Sequence, residues 1–157
     1  MRLYFLRHGI AHDPDGVTPD ALRELTAEGI WRTRRSARMM KMLHIDLDRL
    51  YCSPLVRCRQ TADIIAAALA IAVQVREELA PGFDLEDVDR LTHDLGEGAE
   101  VLFVGHEPDL SRIVCDLTGA RVQMKKGALV RVDVIAYQPL AGEMAYMLSP
   151  KVFNKLG

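Results

Sequence analysis

Two histidines and two arginines stand out in this sequence because of where they fall. Arg7-His8-Gly9 follows the apolar run Leu3–Leu6, and Gly105-His106 follows the apolar run Val101–Val104. A third segment, Arg49–Cys52, ends at Ser53-Pro54 and leads to Arg57 and Arg59. Open α/β sheets bind ligands in the crevice beyond the carboxyl ends of their strands, so one crevice can hold Arg7, His8, Arg57 and His106. Phosphate suits that set. Guanidinium groups hold its oxygens through forked, charge-assisted hydrogen bonds, and an imidazolium adds another donor. A histidine among such cations attracts a phosphoryl group and can attack it through a ring nitrogen, dividing one hard displacement into two easier ones. The cations then stabilise charge on the equatorial oxygens, and a helix opening near Pro54 can add backbone N–H groups. Taken singly, each residue also fits a structural role, a histidine after a strand or an arginine in a surface ion pair. Position alone leaves both readings open.

The elements that must position these residues are written as short apolar runs alternating with helical patterns. That alternation predicts an α/β fold in three layers, α/β/α, with a mostly parallel central sheet and a single domain over residues 1–157. Leu3–Leu6 and Val101–Val104 read as strands covered on both faces. Thr26 reads as the N-cap of a helix to about Leu43, with Glu28 in its first turn, where a carboxylate favours the helix dipole. Arg32, Arg34, Arg35, Arg38 and Lys41 fit its solvated face, with a basic functional face as the other reading. Arg49–Cys52 is a second strand, followed by a helix from about Val56 to Leu69 with Pro54 in its first turn. Val73–Val75 is a weaker strand, Glu86–Leu95 a helix, and Pro108 starts a helix to about Leu117. Leu129–Ile135 alternates, with Val130, Val132 and Val134 on one face and Arg131 and Asp133 on the other. It pairs with Gly142–Leu148 as an antiparallel hairpin at one edge of the sheet.

Composition narrows the function. The 157 residues carry 20 Lys and Arg against 22 Asp and Glu, a formal net charge of -2, which gives no reason to expect a nucleic acid or an anionic membrane as partner. The first apolar run is too short for a signal-peptide core, and no stretch approaches the roughly 20 apolar residues of a membrane helix. Three cysteines without paired spacing (Cys52, Cys58, Cys115) fit a reducing compartment, the cytoplasm. The Cys-x5-Arg spacing of a thiolate phosphatase occurs at Cys115–Arg121, but inside a predicted helix rather than at its amino end. A metal site is disfavoured because His8 and His106 lack a clear third ligand and stand among arginines. No glycine-rich nucleotide loop is present, and no cofactor is expected.

Leu6-Arg7-His8-Gly9 resembles the Arg-His-Gly signature of the histidine phosphatase superfamily, which includes the phosphoglycerate mutases. Ser53-Pro54-Leu55-Val56-Arg57-Cys58-Arg59-Gln60-Thr61-Ala62 is similar to that family's second signature, and Val104-Gly105-His106 to its third element. Leu25-Thr26-x-x-Gly29 is similar to the opening of its first long helix, and order and spacing agree from about residue 1 to 135. The resemblance implies a phosphoglycerate mutase-like fold, with His8 as the phosphorylated nucleophile and Arg7, Arg57 and His106 as the phosphate pocket. Arg59 falls outside the motif. The short length and Gly105-His106-Glu107-Pro108 resemble the SixA-like branch, whose named activity is removal of phosphate from phosphohistidine in signalling proteins.

By the same resemblance the general acid is Glu107 or a carboxylate of the segment that holds Asp84, Glu86 and Asp87, and a phosphoramidate leaving group also fits a site with no acid at all. Glu107 also fits a helix N-terminal carboxylate. Gly9 and His12 are candidate substrate contacts, with a solvated loop as the other reading of His12. Lys125-Lys126-Gly127 is an exposed turn or a second anion contact. The implied partner is a phosphorylated protein or a small phosphate ester. A rival class is a phosphate- or phosphoprotein-binding module that keeps the pocket without turnover.

Overall fold

The computed structural model describes residues 1–156. Its strands are β1 (Arg2–Arg7), β2 (Arg49–Cys52), β3 (Val73–Val75), β4 (Glu100–Gly105), β5 (Leu129–Tyr137) and β6 (Leu140–Leu148). Its helices are α1 (Ala27–Met42), α2 (Val56–Leu69), α3 (Leu85–Thr92), α4 (Asp109–Thr118) and α5 (Pro150–Leu156). The strands form one sheet in the order β3-β2-β4-β1-β5-β6. β1 with β4, β2 with β4 and β2 with β3 pair parallel, whereas β1 with β5 and β5 with β6 pair antiparallel. The mixed sheet with its edge hairpin is the expected one.

The continuous apolar runs of β1 and β4 are explained by burial on both faces. Leu3, Phe5, Val101 and Phe103 project into one layer, against Val88 and Leu91 of α3 and Leu110 and Ile113 of α4. Tyr4, Leu6, Leu102 and Val104 project into the other, against Met40 of α1 and Ala62 and Ile65 of α2. Phe5 stacks on Phe103 with ring centroids 5.5 Å apart, which ties the two neighbouring strands together directly beneath the site.

This layering decides where a ligand can bind. After β1 the chain turns to α1 on one face, and after β4 it turns to α4 on the opposite face. β1 and β4 are neighbours, so the two connections part and leave a crevice between them at the carboxyl ends of both strands. His8 and His106 are the residues that follow.

Local details differ from expectation in four places. Pro54 stands outside α2, whose N-cap is Leu55, because Ser53 and Pro54 make the turn that leads into it. α3 starts at Leu85 and stops at Thr92, because Asp84 and Asp87 close a capping box at its amino end and His93 caps the other. The hairpin strands run on to Tyr137 and back from Leu140, with register shifts between Arg131 and Val132 and between Val134 and Ala136. α5 was not foreseen, and it packs against α1. The opening of α1 is as expected: the Thr26 side chain accepts from the Gly29 N–H. Gly29 itself is irreplaceable there, since a Cβ would lie 2.1 Å from the Ile10 carbonyl oxygen. That close approach locks α1 against the loop leaving β1.

Candidate active site

His8 is buried, and its two ring nitrogens face opposite partners. Nδ1 lies 2.7 Å from the Gly9 carbonyl, an acceptor, and Nε2 lies 3.3 Å from Nε of Arg57, a donor. The proton therefore belongs on Nδ1, and Nε2 presents its lone pair on the side of the arginine. Burial lowers the His8 pKa to about 3, helped by the charges of Arg57, Arg7 and His106 and opposed by the Gly9 hydrogen bond. The ring is neutral at pH 7. Its main chain is equally fixed: the His8 N–H donates to the Gly105 carbonyl at 2.9 Å, and the Gly127 N–H donates to the carbonyls of Arg7 and His8 at 3.1 and 3.0 Å.

Arg57 arrives from the first turn of α2 and is buried, although it is a guanidinium. Besides His8 it donates from Nη1 to the Asp20 carbonyl at 2.8 Å and from Nη2 to the Asp20 carboxylate at 3.1 Å. Its main chain is anchored too, because Thr61 donates to the Arg57 carbonyl at 2.7 Å while accepting the Gly9 N–H at 3.1 Å. Asp20 is an exposed residue of a short 3-10 turn, and Arg23, then Arg57, hold its carboxyl below the usual range. Sequence reasoning passed over Asp20. A signal was present in Asp20-x-x-Arg23, a carboxylate and an arginine spaced to pair on one turn.

His106 is also buried, with Nε2 at 3.2 Å from the Leu79 carbonyl and Nδ1 at 3.6 Å from the Asp109 carboxylate. Both partners are acceptors. Burial lowers its pKa, and Asp109 works in the other direction. Asp109, a second residue that sequence reasoning missed, is buried and accepts the Gly82 N–H at 2.8 Å. Arg7 points Nη1 at the Met124 carbonyl at 2.8 Å, and its Nε is buried with no hydrogen-bond partner.

The remaining candidates are placed elsewhere or hold other partners. Gly9, expected to touch substrate, has its N–H committed to Thr61 and its carbonyl to His8, and a Cβ there would meet Thr33 Oγ1 at 2.7 Å. Its carbonyl orients the histidine. His12 is exposed, its main chain pairs with Glu24 and Arg23, and it lines a depression that includes none of Arg7, His8, Arg57 and His106. Glu107 accepts from Ser111 through both oxygens, at 3.1 Å from N and 2.5 Å from Oγ, and its charge supports that of Arg7. It thus closes the amino end of α4. Asp84 and Asp87 form the α3 capping box, and Asp84 and Glu86 line a separate depression of about 970 Å³ with Tyr137 and Pro139. Arg59 pairs with Asp63 on the surface. Burial pushes the thiols of Cys52 and Cys58 up to about 11 and about 12, and Cys115 lies within α4. Among the described residues no group of three or more His, Cys, Asp or Glu could hold a metal ion, and no helix is long and apolar enough to cross a membrane.

A neutral, oriented imidazole beside Arg57 and in the field of Arg7, at the switch point of a doubly covered sheet, is an arrangement that can accept a phosphoryl group. The family model of the histidine phosphatase superfamily (branch 1) matches residues 3–92, and the chain belongs to that superfamily, whose members are phosphatases. Within it the chain is SixA-like. It is 30% identical over 121 residues, 74% of each chain, to the phosphohistidine phosphatase SixA of Escherichia coli. The structure matches that of the protein histidine phosphatase SixA complexed with tungstate with a TM-score of 0.85 at 25% identity, covering 96% of this chain and 98% of that one. An uncharacterized protein of Picosynechococcus sp. is 37% identical over 96% of this chain and 98% of its own. The fold is shared more widely, as in a mycobacterial glucosyl-3-phosphoglycerate phosphatase with a TM-score of 0.74 at 15% identity, covering 92% of this chain and 96% of that one.

Proposed function

We propose that the protein removes phosphate from histidine-phosphorylated proteins through a covalent phosphohistidine on His8. The observation that carries this reading is the unprotonated Nε2 of a buried, neutral His8 facing the Arg57 guanidinium. That lone pair attacks phosphorus, the bond from phosphorus to the substrate nitrogen breaks, and the departing imidazole takes up a proton. Water then attacks the phosphoryl-His8, releasing inorganic phosphate and the free imidazole. Arg7, Arg57 and His106 hold the equatorial oxygens throughout, and a dianion beside His106 favours its protonated, donating form. A phosphoramidate nitrogen asks less of a general acid than an alkoxide does. Glu107 can supply a proton from beside Arg7 while its main duty is to close α4. A mere binding module has no use for a nucleophile held neutral in one tautomer. The reaction needs no metal, and the three free thiols suit a cytoplasmic setting.

Support for a protein-borne substrate comes from the likeness to SixA over nearly its whole length. The test compares kcat/KM for a phosphohistidine protein with that for sugar and nucleotide phosphates and for an aryl phosphate, in the presence of a chelator. The phosphohistidine protein is expected to be preferred and the chelator to have no effect. Faster turnover of the esters would overturn the substrate, and loss of all activity with the chelator would overturn the mechanism.

Asp20 adds a second expectation. Its carboxylate and carbonyl occupy donors of Arg57 that an incoming phosphate needs. Asp20→Asn removes a competing anion, so inhibition by orthovanadate or phosphate should tighten by about tenfold, the scale of one partly screened charge-assisted hydrogen bond. Competition against an aryl phosphate measures it. Unchanged inhibition would mean that Asp20 keeps its place on Arg57 when the anion binds.

A further inference from the structure

Next to the phosphate pocket, and continuous with it through Arg7, lies a groove of about 410 Å³ lined by Arg7, Arg32, Lys125, Lys126 and Lys151. No carboxylate lines it, although carboxylates outnumber basic residues by 22 to 20 in the chain. Arg32 pairs with Glu28 at one edge. Among the described residues Lys125, Lys126 and Lys151 have no ion pair, and all three are exposed. Ile10, Met147 and Pro150 supply apolar surface between the charges.

The turn that carries Lys125 and Lys126 is held in place through its main chain. The Gly127 N–H, in a left-handed backbone with φ of 81°, donates to the carbonyls of Arg7 and His8, and the Ala128 N–H donates back to the Lys125 carbonyl at 2.8 Å. Arg7 closes the same loop through its N–H to Ala128 and its Nη1 to Met124. The turn Lys125-Lys126-Gly127 is therefore stitched to the end of the strand that carries the nucleophile. The backbone that carries these two positive charges is thus fixed relative to the end of β1.

We propose that this groove docks an acidic polypeptide segment flanking the phosphorylated histidine of the substrate protein. The inference rests on the phosphohistidine reading above and adds where the rest of the substrate lies. A groove several times larger than a phosphate group, with apolar floor between separate cations, matches a chain of carboxylates on aliphatic stems better than a single compact anion. Fixed charges of one sign also steer an oppositely charged partner and set its orientation.

The test uses two phosphohistidine peptides, one flanked by glutamates and one by lysines, with an aryl phosphate as the reference. The wild-type protein should turn over the acidic peptide about tenfold or more faster in kcat/KM at low salt, and the preference should fade as the ionic strength rises. In the Lys125→Glu/Lys126→Glu variant the preference should vanish or reverse, while kcat/KM for the aryl phosphate stays within about threefold of wild type. Equal turnover of both peptides by the wild-type protein would overturn the docking groove and leave the phosphohistidine reading standing. Cleavage of the aryl phosphate but of neither peptide would overturn both. A parallel loss on all three substrates would make the turn part of the phosphate pocket and overturn a separate groove. Peptides that do not discriminate, beside a selective loss on an ester carrying a second phosphate, would reassign the groove to small anions.

Discussion

Replacing His8 by alanine is expected to lower turnover of an aryl phosphate by about 10⁴-fold or more, because the covalent route closes and water must attack unaided. Arg7, Arg57 and His106 remain, so the variant should still bind orthovanadate. Rapid acid quenching is avoided in the companion measurement, since a phosphohistidine is acid-labile. Labelled phosphoprotein trapped at alkaline pH should be present in the wild type and absent from the variant. Activity within tenfold of wild type, or an undiminished phosphoprotein, would remove His8 from the mechanism.

The same histidine has a pH signature. Its pKa is about 3 in the folded protein against an ordinary value of 6.5, so between those values the unfolded chain binds the extra proton. Stability therefore rises with pH across that window: the full contribution is present above about 6.5 and is lost as pH falls toward 3, by an amount on the order of 5 kcal/mol. His8→Ala should flatten that slope in denaturant titrations. In activity profiles, no limb near pH 6.5 should arise from His8, which is already neutral there.

The second large effect falls on Arg57. Arg57→Ala is expected to cost about 10³-fold in kcat/KM, since in the proposed mechanism this one side chain faces His8, grips the phosphoryl oxygens and offsets their negative charge. Arg57→Lys should recover little of this. A lysine is a single point charge, whereas Nε of Arg57 faces His8 while Nη1 and Nη2 reach 2.8 and 3.1 Å to the groups that now stand where an anion would bind. The comparison reads kcat/KM for the aryl phosphate together with orthovanadate affinity. A lysine variant within about tenfold of wild type would show that charge alone suffices and that the fork does not matter.

Much of the frame was legible because it is built from local signals. The limits of β2, α2 and β3 match their expected ranges, since each is an unbroken apolar or periodic run ended by Ser53-Pro54 or by the turn after Leu69. Arg7, His8, Arg57 and His106 converge because they sit at strand ends or one helical turn beyond, and such positions can be read along the chain. Asp20 and Asp109 escaped notice. Asp20 meets Arg57 37 residues away, and nothing in a polar loop announces that contact. Asp109 stands in the first turn of α4, where a carboxylate is ordinary, and only the packing shows that it is buried against His106 and Gly82. The partners of Gly9 were hidden for a related reason: its N–H meets Thr61, 52 residues away, and only the fold brings the two together.

One property of the sheet reaches beyond this chain. Arg7 lies in register with Gly105, the last pair of the parallel ladder, and His8 and His106 are the next residues along the two chains. The spacing of these strand ends is that of a parallel sheet, about 4.8 Å, and main-chain hydrogen bonding maintains it, with the His8 N–H donating to the Gly105 carbonyl. The loops beyond the strand ends, residues 10–24 and 76–84, are tied into that frame, since Asp20 accepts from Arg57, the Leu79 carbonyl faces His106 and the Gly82 N–H donates to Asp109. Lengthening or exchanging either loop would therefore release a side chain of the site as well.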